Sequence, residues 1–114
     1  MAWRDMAVLT YRKAQVTQVV DHLTKLGIPA QAELNRDGND CVTVLTMHSS
    51  KGLEFPLVII PGIGELPYAS HDANEQARVL YVGMTRAMNQ LVMTANRESV
   101  FAQKVKAACE KLAA

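Results

Sequence analysis

Four apolar residues in a row, Leu57-Val58-Ile59-Ile60, leave little choice of setting: with no polar residue alternating between them, they suit a strand covered on both faces. Val42-Thr43-Val44-Leu45-Thr46 is β-branched and strand-like, and Met6-Ala7-Val8-Leu9-Thr10 is an apolar run suited to a buried strand. Between these runs the period changes. Val16, Val19, Val20, Leu23 and Leu26 recur at helical spacing, and Gly27 with Pro29 behind it stops that helix. Glu75 to Met88 reads as a helix, Gln90 to Thr94 as a strand, and Ser99 to Leu112 as a final amphipathic helix carrying Phe101, Val105, Ala108 and Leu112. Ala30 to Leu34 is expected as a short strand, with a hairpin-like connection through the turn cluster Arg36-Asp37-Gly38-Asn39-Asp40. Strands alternating with helices predict an α/β fold with a mostly parallel sheet.

Composition narrows the function classes. At 114 residues the chain is one small domain, with 49% hydrophobic and 20% charged residues, as in ordinary soluble proteins. A net charge of +1 gives no general affinity for nucleic acid, so any such contact must be local. Cys41 and Cys109 stand far apart without a C-x-x-C or a nearby His pair, which favours two reduced thiols over zinc or a disulfide. No apolar stretch is long enough for a membrane span and no signal peptide is seen, so a cytoplasmic, monomeric domain without a membrane partner is expected.

Two segments carry the chemistry. Thr46-Met47-His48-Ser49-Ser50-Lys51-Gly52-Leu53-Glu54-Phe55 follows a strand, and Glu75-Gln76-Ala77-Arg78-Val79-Leu80-Tyr81-Val82-Gly83-Met84-Thr85-Arg86-Ala87 follows it about thirty positions on. In open α/β sheets ligands bind beyond the carboxyl ends of strands, which is where this pattern is expected to put Thr46 through Glu54. A lysine, a carboxylate and an arginine there suit nucleotide phosphates. The chain has no phosphate-binding loop, however: G-x-x-x-x-G-K-[S/T] is absent and Lys51-Gly52 has the reverse order. The site therefore reads as half of one, with no metal site of its own. Each residue also has a purely structural reading. His48 could cap the following turn, Lys51 and Glu54 could form a solvated ion pair, and Arg86 could satisfy the last carbonyls of its helix. Arg86 has no acidic residue within a turn on either side, so its partner is expected from elsewhere, whereas Arg78 has Glu75 at i−3.

The first of these segments resembles motif V, T-x-H-x-[S/A]-K-G-L-E-F, of the UvrD/Rep group of superfamily 1 helicases. The second resembles their motif VI, E-x-x-R-L-x-Y-V-[G/A]-x-T-R-A, in the right order. Trp3 to Gln15, with Leu26-Gly27-Ile28-Pro29 after the helix, resembles D-I-A-V-L-x-R-x-[N]-x-Q and L-x-x-x-G-I-P of the same motor domain. The resemblance covers nearly the whole of residues 1–114. It implies the second RecA-like lobe of a two-lobe motor, without Walker A or B elements, that works with ATP and Mg2+ in the complete enzyme and binds neither alone. It further implies an N-terminal RecA-like ATPase lobe and single-stranded DNA as partners. By the same resemblance Arg86 is the arginine finger. Glu54, Gly52 and Lys51 join it on the nucleotide, and Thr46, His48 and Ser49 face the DNA.

The chain departs from that pattern in places. The first lobe is missing, residue 77 is alanine where many relatives have a second arginine, and only the turn near Asp37-Gly38 stands where a large subdomain is often inserted. Two rival readings remain open: a non-catalytic RecA-like nucleic-acid-binding or regulatory module, and, ranked lower, a hydrolase using His48 and Glu54 as acid and base.

Overall fold

In the computed structural model, which describes residues 1–66, 68–69, 72–95 and 99–113, the three apolar runs become neighbours. They form β1 (Met6–Thr10), β3 (Val42–Thr46) and β4 (Phe55–Ile60), joined by a two-residue β2 (Ala30–Gln31) and by β5 (Ala87–Met93). The sheet has the order β2-β3-β1-β4-β5 and every adjacent pair is parallel. Three helices cover it: α1 (Lys13–Lys25), α2 (Ala73–Met84) and α3 (Val100–Ala113).

β1 is central, and its unbroken hydrophobicity follows from its place. Ala7 and Leu9 point into one layer with Met47, Phe55, Val58, Ile60, Val79 and Leu80, against which Ala102 and Val105 of α3 also pack. Val8 points to the other layer, where Val42 and Val44 meet Val16, Val19, Val20 and Leu23 of α1. Alternate residues thus enter two cores, one on each face. Each fully buried side chain of this kind contributes about 1.5–3 kcal/mol.

Three local expectations are corrected. The connection from residue 30 to residue 46 is not a hairpin. Ala30 lies beside Val42 and Gln31 beside Thr43 in parallel register, and β2 stops short of Leu34. The turn cluster serves instead as a return to the amino end of the sheet, clasped by the Asn35 side chain, which accepts from the Asn39 N–H at 3.1 Å and donates to the Asn39 carbonyl at 2.6 Å. Helix α2 ends at Met84 rather than Met88, and β5 begins three residues earlier than Gln90. The last carbonyls of the helix are taken by side chains: the Thr85 hydroxyl donates to Tyr81 and Val82, and Arg86 Nε donates to Val82 at 3.0 Å. With its final acceptors occupied, the helix has nothing to continue into. The final helix is present over Val100–Ala113, but the side chains of Phe101, Cys109 and Leu112 lie outside the described residues.

Candidate functional site

Because β3, β1 and β4 are all parallel, the segment from Met47 to Glu54 must carry the chain from the carboxyl end of β3 back to the amino end of β4. This corrects the expectation that Thr46 through Glu54 sit together. Thr46 lies beside Thr10 at the carboxyl end, whereas Phe55 enters β4 two residues before Leu57, which lies beside Met6. The offset is roughly six strand positions, or about 20 Å at ~3.3 Å per residue. His48 and Glu54 therefore cannot work as an acid and base pair on one bond, which requires both within hydrogen-bond reach of the reacting group.

At the carboxyl end, a short 3₁₀ turn spans His48–Ser50. Thr46, rather than His48, caps it. Ser49 N–H donates to Thr46 Oγ1 at 3.1 Å, and the two hydroxyls are 3.0 Å apart. Met47 N–H donates to the Thr10 carbonyl at 2.7 Å, and the buried Ser50 hydroxyl donates back to the Met47 carbonyl at 2.6 Å, so the turn is pinned to β1 and to itself. The His48 ring is exposed and lies 5.9 Å from the Tyr11 ring, which lies 5.4 Å from Tyr68. The Arg12 guanidinium stacks over Tyr68 at 3.8 Å. Burial raises the Tyr11 pKa, and the nearby Glu75 carboxylate adds to the rise against a smaller opposing effect of Arg12. Tyr11, Arg12 and Tyr68 belong to this surface although no role was expected of them. Tyr11-Arg12 lies within the matched Trp3–Gln15 segment and directly follows β1 at its carboxyl end, which is a positional signal, whereas nothing in the sequence marks Tyr68.

The connecting segment then runs along α2. Lys51 is exposed and shares a cleft of about 170 Å³ with His48, Glu75, Arg78 and Val82. Lys51 and Glu54 form no ion pair, while Arg78 and Glu75 make an exposed one at 3.5 Å, as their spacing suggested. Such a surface pair contributes little, about 0–1 kcal/mol, and does not commit either group. Gly52 adopts φ +84°, a left-handed conformation that side chains disfavour, where the chain turns from the 3₁₀ segment toward β4.

At the amino end Glu54 and Arg86 meet. Phe55 N–H donates to the Arg86 carbonyl at 2.9 Å and Phe55 lies beside Ala87, so the two residues enter adjacent strands side by side. Glu54 is exposed at the edge of an open pocket of about 320 Å³ bounded by Arg4, Asp5 and Asn35. Arg86 is half-buried. Beyond Val82 its guanidinium touches only the Thr85 hydroxyl, at 3.2 Å, and it makes no ion pair among the described residues. The helix-end reading of Arg86 thus holds for Nε, and the guanidinium has no counter-charge among the described residues. No group of three or more His, Cys, Asp or Glu able to hold a metal ion occurs among the described residues. Nor, among those residues, is any helix long and apolar enough to cross a membrane. Cys41 is a buried free thiol whose pKa is raised by burial and by Asp40.

Comparisons with known proteins agree with one another. Residues 8–98 match the model of the UvrD-like helicase C-terminal domain. An ATP-dependent DNA helicase PcrA of Bacillus subtilis (strain 168) is 34% identical over 96 residues, covering 73% of this chain and 13% of the relative. The PcrA of Staphylococcus aureus (strain MRSA252) is 38% identical over 85 residues, covering 67% and 12%. The chain thus spans about an eighth of the length of these curated relatives. A solved C-terminal domain of a possible DNA helicase from Lactobacillus plantarum WCFS1 superimposes with a TM-score of 0.73 at 22% identity, over 91% of this chain and 64% of the other, which shows the fold. That fold is the RecA-like parallel α/β sheet described above.

Proposed function

Because the chain belongs to the UvrD-like helicase C-terminal domain family, we propose that it is the second motor lobe of an ATP-dependent DNA helicase or translocase. In that reading residues 1–114 form one lobe that completes a nucleotide site built mainly by an N-terminal RecA-like lobe. Arg86 is its arginine finger, Glu54, Gly52 and Lys51 contact the nucleotide, and Thr46, His48 and Ser49 contact single-stranded DNA. The carrying observation is the course of residues 46–54: one segment starts at the exposed hydroxyl and imidazole groups of the carboxyl end and finishes beside Arg86.

ATP with Mg2+ fits this chain only as a shared ligand. The chain offers a guanidinium without an ion pair among the described residues, a lysine and a carboxylate along one course, but no glycine-rich cradle for the phosphates. When bound across two lobes, the nucleotide supplies the phosphoryl group whose hydrolysis drives movement. Arg86 contributes a fixed positive charge and a planar fork of donors toward phosphoryl oxygens. Such a finger is worth about 10³–10⁵ in rate, or roughly 4–7 kcal/mol of barrier. The same reading carries a cytoplasmic location, a monomeric chain and no turnover by the 114 residues alone.

The test is single-strand-stimulated ATP hydrolysis by the longest natural polypeptide that contains this chain, with and without Arg86→Ala. A loss of about three or more orders of magnitude with an unchanged fold is expected. Unchanged turnover would sink the finger assignment. The non-catalytic reading draws on the bonds of Arg86 to Val82 and Thr85, which give it a helix-ending role without any nucleotide. Absence of turnover in both proteins would favour it.

A further inference from the structure

Gln76 is the most deeply buried amide side chain described, at 0% exposure, on a helix whose neighbouring turn carries Glu75, Ala77 and Arg78 in solvent. Among the described residues, both ends of its amide bond to the backbone of Tyr68. Gln76 Oε1 accepts from the Tyr68 N–H at 2.6 Å and Gln76 Nε2 donates to the Tyr68 carbonyl at 2.9 Å. This two-point clasp gives Tyr68 a fixed backbone position, in the manner of a strand partner. The Tyr68 hydroxyl then accepts from Gln15 Nε2 at 3.3 Å and donates to Glu65 at 3.4 Å. Its ring stands against Tyr11, and Tyr11 stands against His48.

We infer that Gln76 is a positioning residue for the strand-binding surface: through Tyr68 and Tyr11 it sets the orientation of the His48 ring. The inference rests on the DNA-binding role proposed above for His48. It also goes beyond it, because it assigns to α2, the helix that leads to Arg86, a mechanical hold on the opposite end of the sheet. An exposed imidazole alone would sample several rotamers, and ordering it on binding would cost affinity. A ring already leaned on Tyr11 avoids that cost, and a clasp that spends one glutamine on two backbone groups is the rigid end of the chain of contacts.

Four variants of the chain, Gln76→Met, Gln76→Glu, His48→Ala and the Gln76→Met/His48→Ala double variant, test this with a fluorescent oligothymidylate at low salt. Proton NMR of the Tyr11 and His48 rings is recorded on the same samples. Gln76→Met keeps length and apolar bulk but makes neither bond. It should weaken binding about tenfold alone and by less than about twofold in the His48→Ala background, and it should abolish the ring-to-ring contact signal between Tyr11 and His48. Gln76→Glu keeps the acceptor for Tyr68 N–H and should fall between the unmodified chain and Gln76→Met. Additive losses, or a Tyr11–His48 signal that survives Gln76→Met, would overturn the inference. If the unmodified chain binds no oligonucleotide yet the ring signal still depends on Gln76, the positioning role stands and the DNA-binding assignment fails. A misfolded Gln76→Met leaves Gln76→Glu to decide through the same two readouts.

Discussion

Gly83→Ala is expected to destabilise this domain although it replaces a helical glycine with the best helix former. Gly83 is buried in the last turn of α2. In a helix interior the exchange would gain up to about 1 kcal/mol, and somewhat less this close to the end. A Cβ at this position, however, would lie 2.6 Å from Met47 Sδ, 2.7 Å from Met47 Cγ and 3.3 Å from Ile60 Cδ1. Met47 is 1% exposed, and its backbone is held by Thr10 and Ser50, so only its side chain can yield, into a filled core. Overpacking of this kind costs roughly 1–3 kcal/mol. The net effect is a loss of up to about 2 kcal/mol, with a fall in Tm of about 4 °C for each kcal/mol in a domain of 114 residues. Removing the obstacle should reverse the sign. In a Met47→Ala background, itself less stable by about 2–5 kcal/mol, the added methyl enters vacated space and should stabilise by roughly 0.5–1 kcal/mol. Urea unfolding of the four proteins, followed by circular dichroism at low temperature, gives the cycle directly. The reasoning fails if Gly83→Ala stabilises both backgrounds equally, because Met47 would then not be seated on the helix. That seat matters beyond stability, since it is where the segment carrying His48 and Lys51 rests on the helix that leads to Arg86.

The distance between the two ends of the site yields a separation of phenotypes. In the longest natural polypeptide, Glu54→Gln should raise the KM for ATP at saturating DNA with little change in strand affinity. His48→Ala should do the reverse, and a common effect of both on one ligand would contradict the 20 Å spacing estimated from the strand rise. Tyr11, whose folded pKa is raised above its ordinary value of 10.0, contributes stability that is complete below that pH and is lost as pH rises through the folded value. Urea midpoints between pH 8 and 11 should therefore fall more steeply for the unmodified chain than for Tyr11→Phe, and parallel curves would refute the assignment. Cys41, buried and with its thiol pKa raised, should be alkylated far more slowly in the native chain than in urea at pH 8, as read from its own peptide by mass spectrometry.

The fold class was legible in the residues for a physical reason, and the same residues supplied the candidates for a site. Strands buried on both faces cannot carry alternating polar residues, so Met6–Thr10, Val42–Thr46 and Leu57–Ile60 announced a covered parallel sheet directly. The family resemblance of the two motifs likewise marked Thr46, His48, Glu54 and Arg86 as candidates. Even the bond of Arg86 to its own helix end was foreseeable, because an i−4 carbonyl is a neighbour in sequence.

Direction and distant partnership were not legible. Residues 30–46 read as a hairpin because a turn cluster reports that the chain bends and not which end of the sheet it returns to. Thr46 and Glu54, eight residues apart, seemed to share one strand end. Parallel pairing of β3, β1 and β4 forces them to opposite ends, and that pairing is settled by which apolar faces bury against one another. The clasp of Gln76 on Tyr68, the leaning of Tyr68 and Tyr11 toward His48, and the seat of Met47 on Gly83 join segments whose meeting no local spacing encodes. The sequence by itself determined which groups are candidates for the site. Only tertiary packing decided that they stand at two ends of one sheet, tied together by a single segment and a single helix.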